Sequence, residues 1–139
     1  MSDELSLYVQ QWFKKANNDL RNAEILLNCG ENEIPYDTLC FHCQQASEKY
    51  IKGYLIYKKI DFPKTHNLAD LISICTQTDT SFSKYITEME KLTPYAVEIR
   101  YPDDFYMPPE DDAREAYKIA SEIKNFIMQK IGDKIPPAA

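Results

Sequence analysis

The sequence predicts an all-α protein, an up-and-down four-helix bundle with one extra short helix. Three observations carry that expectation. Glycine occurs only three times in 139 residues. Apolar residues recur at spacings of three and four through long segments. The connections between those segments are short, as antiparallel neighbours in a bundle require. The length fits a single domain spanning residues 1–139, because such domains cluster at roughly 100–150 residues. No internal repeat or long linker divides the chain. Residues 132–139 are expected to form a flexible tail, as chain ends do unless tied down.

The first helix is expected over approximately Leu5 to Cys29, with Val9, Trp12, Phe13, Ala16, Leu20, Ala23 and Leu27 as its buried stripe. Gly30 stands where a C-terminal glycine cap belongs. After a loop at 31–35, a second helix runs from near Tyr36 to about Lys59. It is the most informative stretch of the chain. One apolar face passes through Leu39, Cys43, Ala46, Tyr50, Gly53 and Tyr57, and a second through Cys40, Ser47, Ile51 and Leu55. A helix apolar over most of its circumference is packed from two sides. Only a narrow polar strip remains, made of His42, Gln45, Lys49 and Lys52 with Glu48 beside it. Polar groups kept on a buried helix need partners or a ligand.

Residues 61–65 break the pattern, and a short third helix is expected from Asn67 to Thr76, burying Leu68, Leu71, Ile72 and Cys75, with Thr65 as a candidate N-cap. A fourth helix is expected over Phe82–Leu92. Thr93-Pro94 marks a fresh start, since proline suits a first helical turn, and 95–99 continues it. Residues 101–109 hold three prolines and read as an ordered loop. The last helix opens at Pro109 with Glu110, Asp111 and Asp112, whose charges suit a helix N-terminus. Ala113, Ala116, Ala120, Ile123, Ile127 and Ile131 form its apolar repeat, and Gly132 ends it.

Composition narrows the function classes. Hydrophobic residues are 44% and charged residues 27% of the chain, a soluble globular balance. No apolar run approaches the roughly 20 residues of a membrane helix, and the first residues carry no basic start followed by an apolar core. A cytoplasmic protein without membrane attachment is expected. Cys29, Cys40, Cys43 and Cys75 are therefore expected as free thiols. The Cys40-Phe41-His42-Cys43 cluster invites a zinc reading, but helical spacing sends both cysteines to the apolar sides and His42 elsewhere. No metal and no cofactor is expected. A net charge of −6 does not suit non-specific binding to nucleic acid, although it leaves room for a local basic patch.

Three polar groups remain as candidates for chemistry: the strip on the second helix, Lys64-Thr65-His66-Asn67-Leu68 at the entry to the third, and the segment from Tyr95 through Glu98 and Arg100 to Tyr101-Pro102. A histidine exchanges protons near neutral pH. An arginine fork grips a carboxylate or a phosphate.

The order of these motifs resembles a known family. Asp19-Leu20, Ala23 and Leu27, then Phe41, Gln44-Gln45-Ala46, Glu48-Lys49, Lys52 and Leu55, then Thr65-His66-Asn67-Leu68, then Tyr95 and Arg100-Tyr101-Pro102 look like a HEPN domain ("higher eukaryotes and prokaryotes nucleotide-binding"). The resemblance covers residues 8–130. It implies a four-helix bundle with a short extra helix, assembled as a homodimer and paired with a small nucleotidyltransferase, often as a toxin–antitoxin system. Many such proteins are metal-independent ribonucleases that use an arginine followed after four to six residues by a histidine. This chain departs from that pattern: the positions at that distance from Arg100 hold Phe105, Tyr106 and Met107.

Three functions follow as expectations. The foremost is a nucleotide or RNA binding module in which Lys49, Lys52 and Arg100 meet phosphate, Gln45 and His66 orient the ligand, and Tyr101 stacks on a base. The second is a ribonuclease at the dimer interface, with Arg100 and His66 as candidate catalytic residues; the incomplete motif leans against an enzyme. The third is a protein-interaction bundle whose polar residues are internal salt bridges.

Overall fold

The computed structural model of the protein describes residues 2–30, 32–96 and 106–134. Five α-helices appear among them: α1 (Asp3–Leu27), α2 (Tyr36–Tyr57), α3 (Leu68–Thr76), α4 (Ile86–Leu92) and α5 (Glu110–Ile131). Arg100 and Tyr101 lie outside the described residues, as do Glu98 and Phe105, the expected helical turn at 97–99 and the tail at 135–139.

The helix starts follow local chemistry. The Ser2 hydroxyl oxygen accepts from the Leu5 N–H at 3.1 Å, and Asp3 and Glu4 fill the first turn of α1, where the dipole favours acids. The cap of α3 is Asn67, not Thr65. The Asn67 side chain accepts from the Asp70 N–H at 3.1 Å. The Thr65 hydroxyl oxygen instead accepts from the Asn67 N–H at 3.0 Å, one step earlier, and so bends the chain into the cap. The expected fourth helix also starts differently. Residues Thr80–Tyr85 form a tighter 3₁₀ turn, and the α-helix begins only at Ile86.

Asp79 explains that tightening. Its Oδ1 accepts from the Ser81 N–H at 3.0 Å and from the Ser81 hydroxyl at 2.5 Å, while Oδ2 meets Lys130 Nζ of α5 at 2.9 Å. The hydrogen bonds from Ser81, then the one from Lys130, hold the carboxyl down at about 2 against an ordinary 3.8. A depressed carboxylate contributes stability above its unfolded value and loses it as pH falls through the folded one. An acid titration followed by circular dichroism is therefore expected to show Asp79→Asn losing less stability than wild type between about pH 4 and pH 2. Parallel acid limbs would mean that Asp79 does not couple the turn to α5.

α2 is the central rod, packed against both α1 and α5, with α3 and the 93–96 turn against it as well. Its two expected apolar faces are buried from Leu39 and Cys40 through Ile51 and Leu55, while Tyr57, the last expected member, is only half-buried at the helix end. α5 contributes every residue of its expected repeat, with Ile119 in addition. Two expected members of the α1 stripe are only half-buried: Trp12 and Leu27. Val9, Phe13, Ala16, Leu20 and Ala23 suffice to fill the seam, and Trp12, one position before Phe13, falls on its margin. Tyr54, Phe82, Phe126 and Tyr85 form a ring chain with centroid separations of 4.9, 4.9 and 5.0 Å, which locks the 80–85 turn to α2 and α5.

α2 ends in a Schellman motif. The Ile60 N–H reaches the Leu55 carbonyl at 2.9 Å and the Lys59 N–H reaches the Ile56 carbonyl at 3.0 Å. That geometry puts the residue after the cap in the left-handed region, usually glycine's place. Here it is Lys59, with φ of 60°.

Candidate functional site

The polar strip of α2 is not one row but two adjoining clusters, each built around a carboxylate. Positions 44, 45, 48 and 52 follow one another on one side of the helix, and 42 and 49 lie beside them, facing α1. On the α1 side the carboxylate is Asp19. His42 Nδ1 lies 3.0 Å from its Oδ1, and Lys49 Nζ donates to Oδ2. Burial pushes the Asp19 carboxyl up, but the hydrogen bonds from His42 and Lys49 outweigh burial and hold it below its ordinary range. Asp19 therefore stays ionised and anchors both partners.

On the α3 side the carboxylate is Glu48, which is 5% exposed. Its Oε1 accepts from Gln44 Nε2 at 3.1 Å and from His66 Nδ1 at 2.9 Å, and its Oε2 accepts from Lys52 Nζ at 3.1 Å. Gln44 Nε2 also donates to the His66 carbonyl at 3.2 Å, while Gln45 Nε2 donates to Gln44 Oε1 at 2.7 Å. The loop carrying His66 is thus pinned to α2 through both its backbone and its ring.

This arrangement has a defined chemical consequence. With Nδ1 engaged by a carboxylate, the neutral imidazole presents Nε2 as its acceptor and, once protonated, as a donor. The His66 side chain is 70% exposed, so Nε2 faces solvent on a ring whose orientation is fixed from behind. Lys52 is the reverse case. Its ammonium is nearly buried between Glu48 and the Phe62 ring, whose centroid is 5.9 Å away.

The structure therefore brings Gln45, Lys52 and His66 together around Glu48 and puts Lys49 in the adjoining cluster. Both lysines already neutralise a carboxylate, and each serves the packing of α2 against its neighbours. The Glu48–Lys52 pair is an i,i+4 spacing that the sequence shows, but the partner of Lys49 is not visible there, because Asp19 reaches it from another helix. Cys40 and Cys43 are buried. Burial lifts the Cys40 thiol to about 12 and pushes Cys43 up further, which disfavours the thiolate that a metal requires. Among the described residues no group of His, Cys, Asp and Glu has the arrangement of a metal site.

Two lysines near this cluster carry no ion pair among the described residues: Lys59 and Lys64. They border a groove of about 680 Å³ between the first half of α1 and the end of α2, walled by Tyr8, Trp12, Ile56 and Phe62. Lys52 lines the same groove. Sequence reasoning misses this site because it assigns Trp12 to the core. The available signal is Lys59, a non-glycine residue where a helix stops and a left-handed turn begins. A depression of about 290 Å³ on the other side of the bundle is lined by Asp112, Glu115 and Lys91, with Lys91 paired to Glu115 at 3.3 Å. Its acidic lining does not suit an anion.

Comparison with known proteins gives a consistent result. A family model described as HEPN domain matches residues 9–131. ST0689, an archaeal HEPN homologue with a crystal structure, is 27% identical, with a TM-score of 0.68 over 89% of this chain and 98% of its own. The crystal structure of TT1696 from Thermus thermophilus is 26% identical, with a TM-score of 0.73 over 88% of this chain and 97% of its own. No protein with a curated description matches the sequence.

Proposed function

The chain belongs to the HEPN domain family, and we propose that it is a binding module for nucleotides or for the ends of RNA. The carrying observation is His66, held by buried Glu48 at 2.9 Å and exposed at its outer edge. Once protonated, an imidazole oriented from behind by a carboxylate is a fixed donor for a phosphate oxygen, with Lys52 beside it. Gln45, next to the same network, supplies amide groups for orientation. Lys49 acts on the neighbouring cluster through Asp19. Arg100 and Tyr101 are assigned to the same ligand on the strength of the family resemblance alone.

The same resemblance supports a homodimer, a small nucleotidyltransferase as protein partner and a role in a toxin–antitoxin-like system. Exposed Tyr106 and Met107 are consistent with a covered surface near the 106–109 segment. The protein is expected to act in the cytoplasm. Among the described residues no helix is long and apolar enough to cross a membrane.

Calorimetric titration with ATP, AMP and a short RNA oligomer tests the binding reading. Because His66 is solvent-exposed, His66→Ala is expected to keep the fold while weakening phosphate-ligand affinity at least tenfold, about 1.4 kcal/mol. No heat with any of these ligands would remove the reading. A second reading, RNA cleavage, draws on the Glu48–His66 pair, which has the form of an oriented general base. RNA incubated with wild type and with His66→Ala separates the two: cleavage lost in the variant supports an enzyme, and intact RNA with both leaves binding alone.

A further inference from the structure

We infer that the groove between α1 and the end of α2 is a nucleoside-phosphate pocket, with its base held by Trp12 and Phe62 and its phosphates by Lys59 and Lys64. The inference rests on the proposed binding function and locates the ligand more closely. Its first support is shape: about 680 Å³ lies within the range of roughly 300–1,000 Å³ that small-molecule pockets occupy. Its second is the lining. Tyr8 and Trp12 stand edge to face, with ring centroids 6.3 Å apart and planes at 79°, and Phe62 lines the same groove. Aromatic faces of this kind stack on bases of any sequence.

The third support is charge. On a chain of net charge −6, three lysines converge on one apolar groove. Lys52 is neutralised by Glu48, which leaves Lys59 and Lys64 as the cations available to an incoming anion. Asp61, also on the lining, offers an acceptor for an exocyclic amino group at the base edge.

Lys59 adds a fourth observation. Its backbone occupies the left-handed region, φ 60°, at a position where glycine would sit without strain. A long cationic side chain thus stands at the border of the groove on a backbone that favours glycine, which singles Lys59 out for a functional test. The pocket also adjoins the Glu48 network. Lys52 and Phe62 belong to both, since Lys52 pairs with Glu48 and lies 5.9 Å from the Phe62 centroid, and Lys64 lies two residues before His66 in the chain.

Trp12 is the protein's single tryptophan, so its fluorescence reports on this groove alone. Titration with ATP and AMP is expected to change its emission saturably, with inorganic triphosphate giving no comparable change because it has no base to stack. A short RNA oligomer as a third arm distinguishes a free nucleotide from an RNA end. The double variant Lys59→Gly, Lys64→Ala is expected to lower ATP affinity at least tenfold, while Lys59→Gly by itself raises the unfolding midpoint by relieving the turn. Should ATP bind by calorimetry with Trp12 emission unchanged and affinity intact in the double variant, the groove is not the pocket, and the binding function stands elsewhere. Absence of calorimetric binding by every nucleotide and RNA tested overturns both.

Discussion

Glu48→Leu is expected to destabilise the fold by about 3–5 kcal/mol, the range for stripping one partner from a buried ion pair. Glu48 and Lys52 have side chains only 7% and 10% exposed. Removing the carboxylate leaves a nearly buried ammonium without its counter-charge, takes the Nδ1 partner from the His66 ring, and leaves Gln44 Nε2 only its longer bond to the His66 carbonyl. The penalty arises from the orphaned groups rather than from the strength of the attraction, which predicts a specific rescue. Adding Lys52→Met removes the orphaned charge and fills the space with apolar volume, so the double variant should recover most of the loss. Urea unfolding of the four proteins, at constant slope, gives the coupling directly. Losses that add, with no recovery in the double variant, would show that Lys52 escapes to solvent once Glu48 is gone. The network would then not be a unit.

That network also shows which parts of the protein can be read from its sequence. The apolar periodicity of α2 and α5 predicts nearly every buried residue, because a helix packed from two sides admits apolar residues on both stripes and tolerates few exceptions. The exceptions are visible too: beyond Asp37 in its first turn, Glu48, Lys49 and Lys52 are the charged residues of the helix. Glu48 and Lys52 pair at a spacing the sequence shows, but the partners from other elements are not visible. Periodicity speaks to one helix at a time, whereas Asp19 comes from α1, 30 residues before Lys49, and His66 comes from a loop 18 residues after Glu48. Only the packing of the rods brings those carboxylates and rings together.

The differences have equally local causes. Trp12 is expected in the core because it falls on the three-and-four spacing of the α1 stripe, but one position beside Phe13 is enough to rotate it to the margin of the seam. Thr65 is expected as the cap because it is the first hydroxyl before the helix; Asn67, two residues later, has the shorter route to the third amide. The tightened 3₁₀ start at 80–85 depends on Asp79 holding Ser81 twice and on Lys130 from α5, a combination of local and distant contacts. Helical existence and burial are legible; caps, turn type and cross-helix charge pairing are not.

Gly53→Val is expected to cost about 3 kcal/mol or more, and Gly53→Ala about 1–2 kcal/mol, against the usual direction of such changes. Glycine within a helix is ordinarily worse than alanine by about 1 kcal/mol, so an exposed position would gain from either. Gly53 is instead packed directly against the Phe13 ring of α1. A Cβ there would lie 2.7 Å from Phe13 Cε1 and 3.1 Å from Cδ1. The ring has nowhere to retreat: Phe13 is 5% exposed and packs on Tyr50 with centroids 6.3 Å apart, and the Tyr50 hydroxyl is itself bonded to Asn17. Overpacking of a closed core costs roughly 1–3 kcal/mol, which exceeds the propensity gain for alanine. Valine adds two more carbons and a restricted χ1, so the balance moves further. Because the clash is with one ring, it should be relieved by shrinking that ring. Phe13→Leu destabilises wild type by opening a void, yet with Gly53→Ala the void accepts the new methyl, and the double variant should lose less than the sum of its parts. Thermal unfolding of the set decides the matter. Gly53→Ala more stable than wild type would mean that α1 and α2 do not meet at this distance. The groove beside Trp12, one residue from Phe13 on the same helix, would then have a different shape.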